Sequence, residues 1–123
     1  MKIQESAENY LEAILILGEG DHKVRSIDVA NELGFSKPSV SVAMKNLKIE
    51  GYIEITANGF ITLTQKGKII ADTIYERHTL LTDWLIHLGV DKATALADAC
   101  RMEHTMSEKS FKAIKTHIEK GNK

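Results

Sequence analysis

The chain carries one cysteine, one proline, no long apolar run and almost no net charge (−1). Each shortage excludes something. A single cysteine, Cys100, rules out an intramolecular disulfide and fits a reducing cytoplasm. No stretch approaches the roughly 18–20 apolar residues that span a bilayer. The polar N-terminus enters an amphipathic pattern directly, so no secretory signal is expected. The near-zero charge is also unevenly spread. Residues 1–22 carry one lysine against five acids, residues 23–68 seven bases against four acids, and residues 69–123 eight of each. A phosphate-bearing partner is therefore expected at the basic middle. What remains is ordinary: 123 residues, 43% hydrophobic, enough for one compact unit or two small ones.

The one cysteine opens Cys100-Arg101-Met102-Glu103-His104, which sets a thiol, a carboxylate and an imidazole at i, i+3 and i+4. On a helix these positions share a face. Sulfur, oxygen and nitrogen donors converging there suit a divalent transition metal. Three ligands rarely complete such a site, so further ligands are expected elsewhere in the chain.

Taken in order, residues 6–18 read as a helix, with Ser6 as N-cap, Gly18 at the stop, and Ala7, Tyr10, Leu11, Ile14, Leu15 and Leu17 as its apolar stripe. Asn9 and Glu12 stand three apart on it. Ser26 is the expected cap of a helix over 27–33 that ends at Gly34, with Ile27, Ala30 and Leu33 inward. Ser36 is the expected cap of the next helix, which holds Pro38 in its first turn and runs to about Glu50, with Val40, Met44 and Leu47 inward. This is a helix-turn-helix pattern, and its second helix presents Lys37, Ser39, Ser41, Val42, Lys45 and Lys48. Alternating residues 52–56 and 60–63 then flank Asn58-Gly59, a strong hairpin signal, which makes the unit a winged helix. Thr64 caps a long helix reaching about Leu88. Its Lys66 and Lys68 are placed to meet DNA phosphates. Its apolar residues, Leu81, Trp84 and Leu85 among them, exceed what one intrachain face needs and point to a second subunit. Asp91 caps a helix over 92–104, and Ser107 caps a last one to about Glu119, with Phe111, Ile114 and Ile118 inward.

This order of parts resembles the diphtheria toxin repressor family of metal-dependent transcriptional regulators. The match rests on Glu8-Asn9-Tyr10-Leu11, Ser36-Lys37-Pro38-Ser39-Val40-Ser41, Leu63-Thr64-x-x-Gly67, Arg77-His78-x-Leu80-Leu81 and the cysteine motif. The resemblance implies a mainly α fold: a winged helix-turn-helix DNA-binding domain at 1–64, then a helical metal-binding and dimerisation domain at 65–123. It also implies the short form without a C-terminal SH3-like domain. By position the metal ligands would be Asn9, Glu12, His78, Cys100, Glu103 and His104. The DNA-binding residues would be Ser36, Lys37, Pro38, Ser39, Ser41, Val42 and Lys45. Asn9 departs from the family's usual methionine or aspartate and offers a neutral amide oxygen. Leu96 stands where the iron branch has a second-site histidine. Valine at position 42, often glutamine in the family, can only pack against a thymine methyl.

The expected protein is thus a homodimeric repressor of metal-ion homeostasis that binds a palindromic operator and is not an enzyme. A thiolate favours the softer divalent ions over Mn²⁺. Fe²⁺ is therefore the expected cofactor, with Co²⁺, Ni²⁺ or Zn²⁺ able to substitute. Two alternatives stand beside it: a Mn²⁺-responsive regulator of the same family, and a metal-independent winged-helix regulator with Cys100 as a redox sensor.

Overall fold

The computed structural model describes residues 5–121. The chain divides into two compact units, Met1–Asp72 and Thr73–Lys123.

In the first unit, α1 (Glu5–Leu17) buries Tyr10, Leu11, Ala13 and Ile14. The helix already includes Ser6, which therefore lies in its first turn and does not cap it. A 3₁₀ turn at Glu19–Asp21, with Gly20 and Asp21 both at positive φ, reverses the chain. Next comes α2 (Ser26–Leu33). Ser26 is its first helical residue, and the cap is Arg25, whose backbone N–H donates to Asp28 Oδ2 at 2.9 Å. A carboxylate at the third helical position reaching back does the work expected of the serine. The register accordingly makes Val29 and Ala30 the buried pair, with Ile27 and Leu33 only partly covered. Gly34 ends α2 in the left-handed conformation, where a side chain would be strained.

The turn leads into α3 (Lys37–Ile49). Ser36 caps it by accepting from Ser39 N–H, and Pro38 sits in the first turn, where a missing N–H costs nothing. Val40, Met44 and Leu47 point inward as their spacing requires. The wing is an antiparallel pair, β1 (Ile53–Ile55) and β2 (Ile61–Leu63), in register Ile53↔Leu63, Glu54↔Thr62 and Ile55↔Ile61. Both strands are shorter than the alternation suggests, because their ends bond elsewhere. Tyr52 N–H goes to Leu47 O, and Thr56 closes the turn to Gly59 and Phe60.

The long helix α4 (Gln65–His87) begins under several ties to what precedes it. Thr64 Oγ1 accepts from Gly67 N–H and donates to Gly51 O, while Thr64 N–H donates to Tyr52 O. Gly67 lies so close to the Tyr52 carbonyl that a Cβ there would overlap its oxygen, which explains the Thr64-x-x-Gly67 spacing. Lys66 Nζ donates to Glu50 O at the end of α3 and lies over the Tyr52 ring, and Lys68 Nζ is 3.6 Å from Asp72. Lys66, expected to meet a phosphate, thus serves the fold by satisfying a helix-end carbonyl.

The second unit comprises the rest of α4, α5 (Lys92–Thr105) and α6 (Glu108–Gly121). Asp91 caps α5 by accepting from Thr94 N–H, and Ser107 accepts from Ser110 N–H at the start of α6. Leu81, Ala99 and Phe111 form its apolar centre, with Leu80, Trp84, Met102, Met106 and Ile114 packed around them. No helix among the described residues is long and apolar enough to cross a membrane.

Candidate metal centre and DNA-binding surface

The i, i+3, i+4 spacing of the cysteine motif is realised on α5. Donor atoms of Cys100, Glu103 and His104 lie within 4.8 Å of one another. Glu103 is fully buried. Its Oε2 is 3.0 Å from His78 Nδ1, contributed by α4, and its Oε1 is 3.3 Å from His104 Nε2. A buried carboxylate between two imidazoles, with a thiol beside it, is a poor apolar core. It is a good nest for a cation that draws on oxygen, nitrogen and sulfur. The donor set therefore fits a divalent ion.

Arg77, the neighbour of His78, holds this corner in place. Its Nη1 donates to the carbonyls of Glu103 (3.1 Å) and Met106 (2.8 Å), and its guanidinium lies 5.1 Å from the centre of the Phe111 ring. The last carbonyls of a helix have no intrahelical donor, so Arg77 both satisfies the end of α5 and fixes where Glu103 and His104 stand. In the sequence Arg77 stands out only as part of Arg77-His78-x-Leu80-Leu81. Its signal was an arginine set among apolar positions one residue before a ligand-type histidine. At the other end of α5, the Thr94 backbone N–H holds the Asp91 carboxyl below its usual range, with the Thr94 side chain adding to the effect.

The other expected residues fall as follows. Asn9 and Glu12 lie on α1 in the first unit, Asn9 half-buried and Glu12 9% exposed. On α3, Ser36, Lys37, Pro38, Ser39, Ser41, Val42 and Lys45 are all exposed, Val42 to 59%. Ser36 Oγ donates to Ser39 Oγ at 2.8 Å, so the two hydroxyls at the helix start act as one group. Of the expected dimer residues, Leu81 is fully buried within its own unit and belongs to that core. Trp84 and Leu85 are half-buried, and Ile86 and Leu88 are exposed beyond them.

Residues 2–59 match the model of the iron dependent repressor N-terminal DNA binding domain. Residues 64–122 match that of the iron dependent repressor metal binding and dimerisation domain. The chain belongs to the iron-dependent repressor family, that of the diphtheria toxin repressor. It is 32% identical over 120 residues to an HTH-type transcriptional regulator of Methanocaldococcus jannaschii, covering 96% of each chain. It is 33% identical over 117 residues to the transcriptional regulator MntR of Escherichia coli, covering 95% of this chain and 76% of that one. The structure of the manganese regulator SloR superposes with a TM-score of 0.81 at 28% identity, covering 97% of this chain and 55% of SloR. The chain thus spans little more than half the length of that solved relative. The family is one of metal-dependent transcriptional repressors, DNA-binding proteins and not enzymes. The winged-helix unit is its DNA-binding domain, and the helical segment after it is its metal-binding and dimerisation domain.

Proposed function

We propose that this chain is a homodimeric repressor of metal-ion homeostasis that binds a palindromic operator when Fe²⁺ or a similar ion is bound. His78, Cys100, Glu103 and His104 would hold the ion, and Glu12 and Asn9 of α1 would add ligands. The observation that carries this reading is the buried Glu103 carboxylate with thiol and imidazole donors gathered around it. When bound, the ion supplies positive charge to a thiolate and a buried carboxylate and exerts Lewis-acid pull on the imidazoles. The residues do the rest. Arg77 fixes the end of α5, and His78 joins α4 to Glu103. Glu12, as a ligand, would make α1 respond to metal occupancy. The coupling is one of linkage: an ion that favours the DNA-competent arrangement raises operator affinity by its differential affinity for that arrangement.

The thiol argues for Fe²⁺ over Mn²⁺. Mn²⁺ is the second reading, favoured by the likeness to a structure described as a manganese regulator. On the DNA side, the exposed Ser36 at the cap and Lys37, Pro38, Ser39, Ser41, Val42 and Lys45 of α3 would meet the major groove, with Val42 packing against a thymine methyl. Trp84 and Leu85, with Ile86 and Leu88, would meet the second copy. The functional domains on this reading are 1–64 and 65–123. A single cysteine, which suits a reducing compartment, supports action in the cytoplasm.

The test is anaerobic DNA binding against a promoter library, titrated with Fe²⁺, Mn²⁺, Zn²⁺ or no metal. Binding that needs Fe²⁺-like ions and is lost in Cys100→Ala supports the reading. Binding with Mn²⁺ but not Fe²⁺ selects the second. Equal binding without any metal removes the role given to the cysteine motif and leaves the redox alternative to be tried with oxidant. Glu12→Ala should weaken metal activation more than dimerisation, and an unchanged metal dependence would remove Glu12 from the site.

A further inference from the structure

In the first unit, Lys66 is bonded to a helix-end carbonyl, Lys68 lies beside Asp72, and Lys37, Lys45 and Lys48 stand on α3. Two further cations, Lys23 and Arg25, are exposed, and neither side chain forms a salt bridge among the described residues. What they share is an aromatic ring. Arg25 Cζ lies 4.6 Å and Lys23 Nζ 5.7 Å from the centre of Phe60.

The backbone explains the arrangement. His22 and Arg25 are extended, and the Val24 carbonyl accepts from Ile61 N–H at 2.7 Å, so this segment runs beside β2. Side chains alternate along extended chain. Val24 and Ile61 are buried, which turns Lys23, Arg25 and Phe60 toward solvent together. Phe60 follows the Asn58-Gly59 turn directly and so lies at the turn end of the wing. The ring attracts both cations without neutralising either, and it limits the conformations they sample. A preordered cation loses less freedom on meeting an anion, and the arginine fork matches a phosphate in two-point contact.

We propose that Lys23 and Arg25, steadied on Phe60, form a phosphate clamp with which the turn end of the wing grips the DNA backbone. Phe60 is the positioning residue of this clamp. The proposal rests on the DNA-binding reading of this unit and adds to it a sequence-independent contact away from α3. The clamp contributes to affinity and register, and base choice stays with α3.

The test uses the full chain with saturating metal and a duplex of arbitrary sequence, with affinity followed by fluorescence anisotropy as salt is raised. The slope of log affinity against log salt should flatten by about 0.9 in Lys23→Gln and in Arg25→Gln, and by about 1.8 in the double variant. Phe60→Leu should flatten it as well, and Phe60→Tyr, which keeps a ring, should restore the parental slope. The glutamine variants should melt with the parent, since glutamine keeps part of the aliphatic stem of each exposed side chain. A folded double variant with the parental slope overturns the clamp, and Phe60→Leu with the parental slope overturns the positioning role. Lys45→Ala on α3 separates the two readings. If it flattens the slope while the double variant does not, DNA binding stands and the clamp fails. A parent that binds no duplex at any salt overturns both.

Discussion

In Met1–Asp72 the largest fully buried side chains are Leu11, Val29, Val40, Met44 and Ile53, all apolar and drawn from α1, α2, α3 and β1. In Thr73–Lys123 the apolar centre is Leu81, Ala99 and Phe111, and the same interior takes in Glu103, Arg77 and Thr82. Arg77 Nε and Thr82 Oγ1 have no hydrogen-bond partner among the described residues. Each fully buried aliphatic side chain contributes roughly 1.5–3 kcal/mol, whereas a buried carboxylate costs stability unless its charge is matched. The first unit is therefore built to fold on its own apolar burial. The second is built around charge, and its stability should depend on what binds it. A reading head that stays folded and a sensing part whose order varies with ligand suit a regulator.

The contrast can be broken most forcefully through the cores. Met44→Ala on α3 should cost about 2–5 kcal/mol in urea unfolding, and this loss should be the same with and without metal. Phe111→Ala should cost a comparable amount in metal-free protein, part of it recovered when Fe²⁺ is added. Equal metal rescue of both kinds of variant would erase the distinction between the units. Next in size is the metal itself. Fe²⁺ at a hundredfold excess over its dissociation constant should stabilise by about 2.7 kcal/mol. By hydrogen exchange the added protection should be concentrated in α5, in α4 around His78 and in the ligand-bearing stretch of α1, and be absent in Cys100→Ala. Protection spread evenly over both units would count against the comparison.

Gly67→Ala probes the join between wing and α4. With the Tyr52 carbonyl in the way, overpacking should cost about 1–3 kcal/mol. A melt unchanged from the parent would show that the first turn of α4 can shift freely. The smallest effect belongs to Asp91. Thr94 holds its carboxyl below the usual range, so its contribution to α5 is complete above the unfolded carboxylate pKa. That contribution is lost as pH falls through the lowered value. Acid titration of helix content should show a slight extra loss at low pH that disappears in Asp91→Ala.

Local spacing made much of the molecule legible. The i, i+4, i+7 pattern of Val40, Met44 and Leu47 determined which side of α3 is buried, and Asn58-Gly59 located the wing turn. Cys100, Glu103 and His104 share a face because they lie on one helix, and helix geometry alone brings them together. Where spacing failed, the competing group was local but unforeseen. Asp28 reaching back to Arg25 displaced Ser26 from the cap.

The sequence by itself therefore determined the order of elements, the inward face of α3 and the thiol–carboxylate–imidazole triplet, because each depends on neighbours within a few residues. Only the tertiary structure decided that Leu81 belongs to a core and not to an exposed face. The same is true of Lys66 capping α3, of Arg77 holding the end of α5, and of Lys23 and Arg25 sharing the Phe60 ring. These depend on contacts between residues distant in the chain. A long helix such as α4 offers several faces of similar apolarity, and packing against other elements determines which of them is covered.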